Sequence, residues 1–410
     1  MADRDFDLVM FGATGFTGRL VAEHLAAQLA ARSGPPRHWA VAGRNRDKLA
    51  ALAIVDAGGA AVPILECDAL DPDACAAIAR RARVVCTTVG PYAKYGVALA
   101  AACAQAGTHY CDLTGEVTFM RASIDANHAI AQRTGARIVH ACGFDSIPSD
   151  LGTWATQQAF VARYGHPAAI VTALFGETSG GMSGGTAASA FELAEAMREP
   201  AVRKLLRDPY ALIPEPDAPR PPIDQPVLGW NRAVGMFTAP FFMAGTNAPV
   251  VRRGHALAGY PWGRDFVYRE LMSTPGNARG ALMAVGVTAA LGGLAAAMKR
   301  PKLRAWLRTK APQPGEGPSA AKRAAGYWRV RFVAEAHTDA RDDAERLIYK
   351  IGDPAGDPGY ASTAKMLGQS ALCLAFDALT TAPGVTTPSA AMGGALLARL
   401  RAVGLEFGEA

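Results

Sequence analysis

Apolar runs and helical patterns alternate regularly along the first third of the chain. Six short runs are separated by stretches in which apolar residues recur at helical spacing. The runs cover residues 6–11, 38–42, 63–66, 83–89, 108–112 and 137–141. Strands that alternate with helices predict an α/β fold, and six such strands make a complete Rossmann domain with a doubly wound parallel sheet.

The pattern changes after residue 150. Residues 234–270 and 327–351 contain alternating runs with aromatic residues, which predict a second, mixed α/β domain with a largely antiparallel sheet. Helical patterns near Tyr360–Leu379 and Ala390–Arg401 are expected to pack back on the first domain. The predicted division is a Rossmann domain, a substrate or dimerisation domain, and C-terminal helices, at residues 1–150, 151–355 and 356–410.

Residues 280–298 form an apolar segment of 19 residues without a charged side chain. Its length lies in the lower range for a membrane span, but its high content of Ala and Gly makes its hydrophobicity modest. This composition favours a buried helix or a helical hairpin. Two alternatives stay open: a lipid-facing segment anchored by the basic residues within 280–308, and a membrane span.

The first apolar run ends in a glycine-rich turn that leads directly into a helical pattern. Gly12 permits the tight turn, Gly15 lets a pyrophosphate approach the backbone, and Gly18 lets the helix pack close to the sheet. The free N–H groups at the start of this helix favour an anion. The predicted cofactor contacts in the turn are Gly12, Thr14, Gly15, Phe16, Thr17 and Gly18.

The end of the second predicted strand indicates which dinucleotide is bound. An acidic residue at this place would bond the ribose 2′-hydroxyl of NAD. The chain has Arg44 there, and its planar guanidinium suits the 2′-phosphate of NADP. A solvated basic start to the next helix is the alternative. We therefore predict NADP (NADPH), with Asp68, after the third strand, as a further cofactor contact.

The turn after the fourth predicted strand is expected to border the same ligand. In an open α/β sheet, ligands lie outside the carboxyl ends of the strands, near the point where the strand order reverses. Gly90 and Pro91 are predicted to line the cofactor toward its nicotinamide end. Tyr92 is predicted to face the substrate and is our first candidate for the proton donor.

Acidic residues follow the fifth and sixth predicted strands. Asp112, Glu116 and Asp145 stand where proton transfer could occur. Each could equally cap a helix or lie in its first turn. Of the three, Asp145 is our candidate catalytic residue.

A Gly- and Ser-rich segment at residues 176–185 includes Ser183 in a GxSxG match. A hydrolase would need a sharp strand–serine–helix turn, and this segment is too long for one. Ser183 fits better at the start of a helix, where it could hold a substrate carbonyl or carboxylate as a third catalytic candidate. A purely structural cap is the alternative. The chain has no Tyr-x-x-x-Lys pair, which argues against the short-chain dehydrogenase mechanism.

Composition narrows the classes of function. The net charge is +6, but no dense basic block with interleaved aromatics occurs before residue 299, so nucleic-acid binding is not indicated. The seven cysteines show no CxxC or Cys/His metal spacing, which predicts no metal site and a reduced, cytoplasmic protein. The N-terminus shows no signal-peptide pattern.

Taken as a set, these motifs resemble those of the saccharopine-dehydrogenase-like oxidoreductases. The matching motifs lie at residues 5–18, 42–44, 88–92, 110–116 and 142–150. Within that group the chain looks most like the trans-acting enoyl reductases of phthiocerol-type lipid assembly, a likeness that residues 183–186 and 390–397 extend almost to the C-terminus. The resemblance implies NADPH-dependent reduction of an acyl chain carried by a polyketide synthase. It transfers no catalytic residue.

The predicted function is the NADPH-dependent reduction of a C=C bond in a long-chain acyl or polyketide lipid intermediate. The expected partners are a small-molecule or carrier-bound acyl substrate, a membrane or lipid surface at residues 280–308, and a second copy of the chain. Two rival hypotheses stay open. One is a saccharopine-type C–N dehydrogenase acting on an amino-acid-like substrate, and the other is a non-catalytic NADP-binding protein at a lipid surface.

Overall fold

A computed structural model describes most of the chain. The described residues are 4–31, 38–56, 58–179, 191, 195–222, 228–310, 319, 321, 323, 325–336 and 345–410. The strands are β1 (Phe6–Phe11), β2 (Trp39–Gly43), β3 (Ile64–Glu66), β4 (Ala82–Thr87), β5 (His109–Asp112), β6 (Arg137–Val139), β7 (Ile170–Ser179), β8 (Gly229–Asn231), β9 (Met236–Pro240), β10 (Val267–Thr274), β11 (Tyr327–Glu335), β12 (Arg346–Asp353), β13 (Gly384–Thr386) and β14 (Glu406–Glu409).

Helices connect these strands and cover the sheets. They are α1 (Phe16–Ala30), α2 (Arg46–Ala50), α3 (Pro72–Arg81), α4 (Tyr92–Tyr95), α5 (Val97–Ala106), α6 (Val117–Thr134), α7 (Ile147–Tyr164), α8 (Pro200–Arg207), α9 (Ala244–Leu257), α10 (Ala278–Met298), α11 (Pro301–Lys310), α12 (Thr363–Phe376) and α13 (Pro388–Ala402). A π-helical turn, Pro358–Ser362, leads into α12.

The first sheet is parallel throughout, in the order β3-β2-β1-β4-β5-β6-β13. Its strands read as apolar runs because helices cover both faces; within β1 only Asp7 is less than buried. The strand order reverses between β1 and β4, where a doubly wound sheet opens a crevice at its carboxyl edge. The predicted Rossmann domain is confirmed.

The C-terminal residues contribute to both sheets. Helix α12 is buried against α1, β4 and β5, and β13 adds a seventh parallel strand beside β6. Strand β14 instead pairs with β12. Sequence patterns missed both of these short strands, and the predicted domain boundaries stay a prediction.

The second sheet runs in the order β14-β12-β11-β7-β10-β9-β8. Every neighbouring pair is antiparallel except β7 with β10, so the predicted mixed, largely antiparallel sheet is confirmed. Within the region 234–270, β9 and the start of β10 are separated by α9.

The apolar segment forms α10, and it is not buried. Only Gly280 and Ala284 are buried in this helix, and the side chain of Leu282 is 73% exposed. By length and composition alone α10 could cross a membrane. The expectation of a buried helix or hairpin was therefore wrong, since the sequence shows how apolar a segment is but not what covers it.

Candidate active site

The glycine-rich turn joins β1 to α1 at the carboxyl edge of the first sheet. Gly12 has a φ of +94°, a conformation that side chains rarely adopt. A Cβ at Gly12 would lie 2.5 Å from Cγ2 of Val89, and a Cβ at Gly18 would overlap the carbonyl oxygen of Gly12. Packing within the protein therefore requires both of these glycines.

Gly15 is different, because the protein itself leaves room for a side chain there. Its φ is −74°, and a Cβ would meet nothing closer than the carbonyl oxygen of Gly12 at 3.5 Å. Among the described residues no side chain caps α1, and its first turn has no acidic residue. A pyrophosphate held by the N–H groups at the start of α1 explains the missing Cβ, so the turn fits a dinucleotide.

Arg44 directly follows β2, and its side chain is exposed. Within the described part of the chain it makes no hydrogen bond or ion pair, so its guanidinium is available to a phosphate. Asp68 follows β3 and accepts a hydrogen bond from the N–H of Leu70 at 3.0 Å. This bond shapes the turn before α3, and a cofactor contact of Asp68 stays a prediction.

Tyr92 begins α4 and is only 4% exposed. Its hydroxyl donates to the carbonyl oxygen of Thr87 at 3.2 Å and accepts from the N–H of Leu113 at 3.5 Å. Burial, and next the carboxylate of Asp112, raise the pKa of Tyr92 well above its ordinary value. Tyr92 therefore ties the ends of β4 and β5 together, which argues against the prediction that it donates the catalytic proton.

Glu116 stabilises the same turn through hydrogen bonds to the start of α4. Its two carboxylate oxygens accept hydrogen bonds from the N–H groups of Tyr92 and Ala93, at 2.9 and 2.8 Å. The preceding Gly90–Pro91 peptide bond is cis. Glu116 thus caps the start of α4, which is the alternative interpretation given above. Its hydrogen bonds hold the turn that carries Gly90 and Pro91.

A buried cluster of hydrogen bonds joins the ends of β5 and β6. The carboxylate of Asp112 accepts from the hydroxyl of Tyr110 at 3.0 Å and from the N–H of Ala141 at 3.1 Å. Its Oδ2 lies 2.7 Å from Nδ1 of His140, whose Nε2 lies 2.8 Å from Oγ of Ser123. The buried carboxylate of Asp112 has its hydrogen-bonding capacity taken up within the protein, so it holds the strand ends in place. His140 was not predicted, since one histidine in an apolar strand carries no signal.

Asp145 lies in the loop between β6 and α7 and is half-buried. Unlike Asp112, it makes no hydrogen bond or ion pair with any residue the structure describes. Burial raises the pKa of Asp145 to about 6. A carboxyl group that holds its proton this close to neutral pH, and that has no partner among the described residues, is suited to general acid catalysis. The geometry favours Asp145 over Tyr92.

A buried polar network anchors the loop of Asp145 to the second sheet. The hydroxyl of Ser146 donates to Oδ1 of Asn247 at 3.0 Å, and Nδ2 of Asn247 donates to Glu270 at 2.7 Å. Ser149 also donates to Glu270, at 3.1 Å. Burial raises the pKa of Glu270 to about 7, against the opposing hydrogen bonds. Asn247 and Glu270 were not predicted, because this network joins α7, α9 and β10 across long sequence separations.

Residues beside the glycine-rich turn and after β6 contact the second sheet and the π-helical turn. The ring of Phe144 packs edge-on against Trp328, with ring centroids 4.9 Å apart. Phe16, at the start of α1, packs against Tyr360 with a centroid distance of 4.7 Å. The guanidinium carbon of Arg323 lies 5.2 Å from the Phe16 ring centroid, which brings a positive charge next to the glycine-rich turn.

Three sequence predictions remain: the position of Ser183, the absence of a metal site and the state of the cysteines. Ser183 lies outside the described residues, together with the rest of its GxSxG match. No group of three His, Cys, Asp or Glu side chains placed to hold a metal occurs among the described residues. All seven cysteines are buried and free.

The first part of the chain matches a known family of cofactor-binding domains. Residues 8–139 match the family described as "Saccharopine dehydrogenase NADP binding domain". This range contains the glycine-rich turn, Arg44 and the ends of β4 and β5. The match supports NADP(H) as the cofactor.

Relatives match the chain over nearly its full length. A Mycobacterium tuberculosis protein (strain ATCC 25618 / H37Rv), provisionally named a trans-acting enoyl reductase, is 44% identical over 98% of this chain and 97% of its own. A protein of the same strain named "Trans-acting enoyl reductase" is 39% identical over 99% of this chain and 98% of its own. One with that name from Mycobacterium ulcerans (strain Agy99) is 40% identical over 98% and 97%.

One solved structure resembles the whole fold. It is apo saccharopine dehydrogenase (L-Glu forming) from Saccharomyces cerevisiae, with a TM-score of 0.52, 14% identity, and coverage of 98% of this chain and 99% of that one. At this low identity the likeness extends to the fold alone. The pairing of a Rossmann domain with a second mixed sheet is common to both chains.

Proposed function

Because this chain belongs to the family of trans-acting enoyl reductases, we propose that it uses NADPH to reduce a C=C bond conjugated to the carbonyl group of an acyl thioester. The observation that carries this proposal is the turn at residues 12–18, where Gly15 leaves space that the protein does not fill. The carboxyl of Asp145, which has no partner in the described part of the chain, adds an acid at another strand end of the same sheet edge. A dinucleotide site and a proton donor are the two components that a reductase needs.

Residues at the sheet edge would hold the cofactor along its length. The N–H groups of residues 15–18, with Thr14 and Thr17 beside them, bind the pyrophosphate. Arg44 pairs with the 2′-phosphate, while Gly90 and Pro91 line the nicotinamide end. Asp68, whose carboxylate already accepts a hydrogen bond within a local turn, would lie next to the ribose.

The reduction adds a hydride to the β-carbon of the double bond and a proton to the α-carbon. NADPH, when bound, supplies the hydride. Asp145 gives its proton to the α-carbon and, being half-buried, regains one from solvent. Negative charge that develops on the thioester oxygen needs a hydrogen-bond donor, and the hydroxyl of Ser183 remains our candidate for it.

The substrate of this proposal is an acyl chain of the lipid or polyketide type, presented on a carrier. We propose a cytoplasmic location, which the buried free thiols support. The second sheet would carry the substrate side of the site and, in a homodimer, the contact between copies.

The direct experiment measures NADPH consumption by the purified chain with three substrates in parallel. An α,β-unsaturated long-chain acyl thioester should be reduced to the saturated thioester. The saturated thioester alone should give no turnover, and an amino acid with a 2-oxo acid, the pair for C–N bond formation, should give none. Turnover only with the amino-acid pair would favour the saccharopine-type alternative. Tight NADPH binding without any turnover would indicate a non-catalytic protein.

A further inference from the structure

Helix α10 presents an apolar surface that no other part of the described chain covers. Four of its large apolar side chains are exposed: Leu282 by 73%, Met283 by 45%, Val285 by 51% and Leu294 by 47%. A contiguous exposed apolar surface of this kind marks an interaction site, since single exposed apolar residues are ordinary but clusters are costly in water. We therefore expect a partner to cover α10.

The topology excludes a membrane span. Strand β10 ends at Thr274, just before α10, and β11 pairs with β7 beside β10, so the chain must return to the same sheet after α10. Between residues 299 and 326 there are nine charged residues, and no apolar run there could cross a bilayer, which takes roughly 20 residues. Helix α10 can therefore lie on a membrane but cannot cross it.

The charge of the segment indicates what covers it. Residues 278–310 contain seven basic residues and no acidic one. Arg304 pairs with Glu195, but Lys299, Arg300 and Lys302 are exposed at the junction of α10 and α11. This basic cluster is attracted to anionic lipid headgroups, whereas two copies of it would repel each other. Charge complementarity thus favours an anionic membrane over a second copy of the chain.

Helix α11 adds the residues expected at a membrane interface. Trp306 is 57% exposed and Leu303 is 40% exposed, three positions apart and so on one face of the helix. Tryptophan prefers the headgroup region of a bilayer, where its ring is apolar and its N–H stays hydrated. Lys and Arg beside it extend their charged ends toward the phosphates.

We propose that α10 and α11 together dock the protein on an anionic lipid surface, with α10 lying in the plane of the interface. The apolar side of α10 enters the boundary between headgroups and acyl chains, and the basic cluster at residues 299–302 binds the headgroups. This attachment is peripheral and reversible. It goes beyond the reductase activity and does not depend on it.

Vesicle sedimentation of the full-length protein tests the proposal. Vesicles of phosphatidylcholine with about one third phosphatidylglycerol should bind the protein, and pure phosphatidylcholine vesicles should bind it at least about tenfold more weakly. Raising the salt concentration should weaken the binding, since the headgroup attraction is screened. Failure of the protein to sediment with either kind of vesicle would overturn the proposal.

Two matched substitutions locate the contact. Val285→Glu places a charge on α10, and Val161→Glu places the same charge on α7, where Val161 is 39% exposed. Val285→Glu should reduce vesicle binding about tenfold or more, and Val161→Glu should leave it unchanged. Equal binding by both variants would overturn the assignment to α10. A second result would also overturn the assignment: the wild type binds no vesicles and is a dimer in sedimentation velocity, and Val285→Glu converts this dimer to a monomer. NADPH oxidation, measured without vesicles, reports separately on the reductase.

Discussion

The two ends of the crevice are built in different ways. At the end proposed for the phosphates, residues 12–18 form the turn through the course of the backbone. A Cβ at Gly12 or Gly18 would collide with the protein, whereas Gly15 leaves space for the proposed ligand. At the opposite end, the side chains of Tyr92, Asp112 and Glu116 form hydrogen bonds within the protein. Asp145 differs from them, because it has no hydrogen-bond partner among the residues that the structure describes. In this chain the difference favours Asp145 as the catalytic candidate over the acids whose hydrogen bonds hold the fold together.

The largest effect is expected from Asp145→Asn, because it removes the proposed acid while keeping the shape of the side chain. The kcat for the enoyl thioester should fall by about 10²- to 10⁴-fold. In the wild type, kcat should decline as pH rises through about 6, since the proton on Asp145 is then lost. Steady-state kinetics across the pH range check both points. A variant with wild-type kcat and the same pH profile would remove Asp145 from the mechanism.

The paired variants Gly18→Ala and Gly15→Ala separate packing from ligand binding. Gly18→Ala should lower the free energy of unfolding by about 1–3 kcal/mol, because its Cβ overlaps the carbonyl oxygen of Gly12. Gly15→Ala should leave the protein as stable as the wild type but raise the Kd for NADPH by about tenfold, since only the ligand approaches that position. Thermal unfolding and NADPH titration distinguish the two. Equal losses of stability would contradict the ligand-based explanation for Gly15.

Arg44→Asp tests the charge that selects the cofactor. The substitution places a carboxylate against the 2′-phosphate, so the Kd for NADPH should rise by about 10- to 100-fold while that for NADH changes little. Arg46→Asp on α2 is the matched control, because Arg46 carries the same charge two residues later. If the two variants bind NADPH equally well, Arg44 does not read the 2′-phosphate.

The smallest effect is expected from Tyr92→Phe. This variant deletes the hydrogen bond to Thr87 and should cost about 1 kcal/mol of stability. The kcat should change by less than about threefold, since the hydroxyl only joins two strand ends. Denaturant unfolding and kinetics on the same preparation measure both. A loss of kcat comparable with that of Asp145→Asn would restore Tyr92 as the proton donor.

The conformation of the glycine-rich turn was easier to predict from the sequence than the opposite end of the crevice, for a physical reason. The cofactor contacts of this turn and of Arg44 stay predictions. A glycine whose backbone must turn, or must admit a ligand, is visible in local spacing, and so is Arg44 at a strand end. The bond from Tyr92 to Thr87 and the network through Asn247 and Glu270 depend on where distant elements meet. The same limit explains β13 and β14, which are short and depend on pairing, and the exposure of α10, which composition cannot show.

The most direct test of the central claim follows deuterium from NADPH labelled at the C4 hydride position into the product. Reduction of an enoyl thioester should place one deuterium on the β-carbon of the saturated product, and Asp145→Asn should slow this transfer without changing its position. In deuterated water with unlabelled NADPH, the label should instead enter at the α-carbon. A saturated product without deuterium at the β-carbon, or no product at all while NADPH stays bound, would contradict the account.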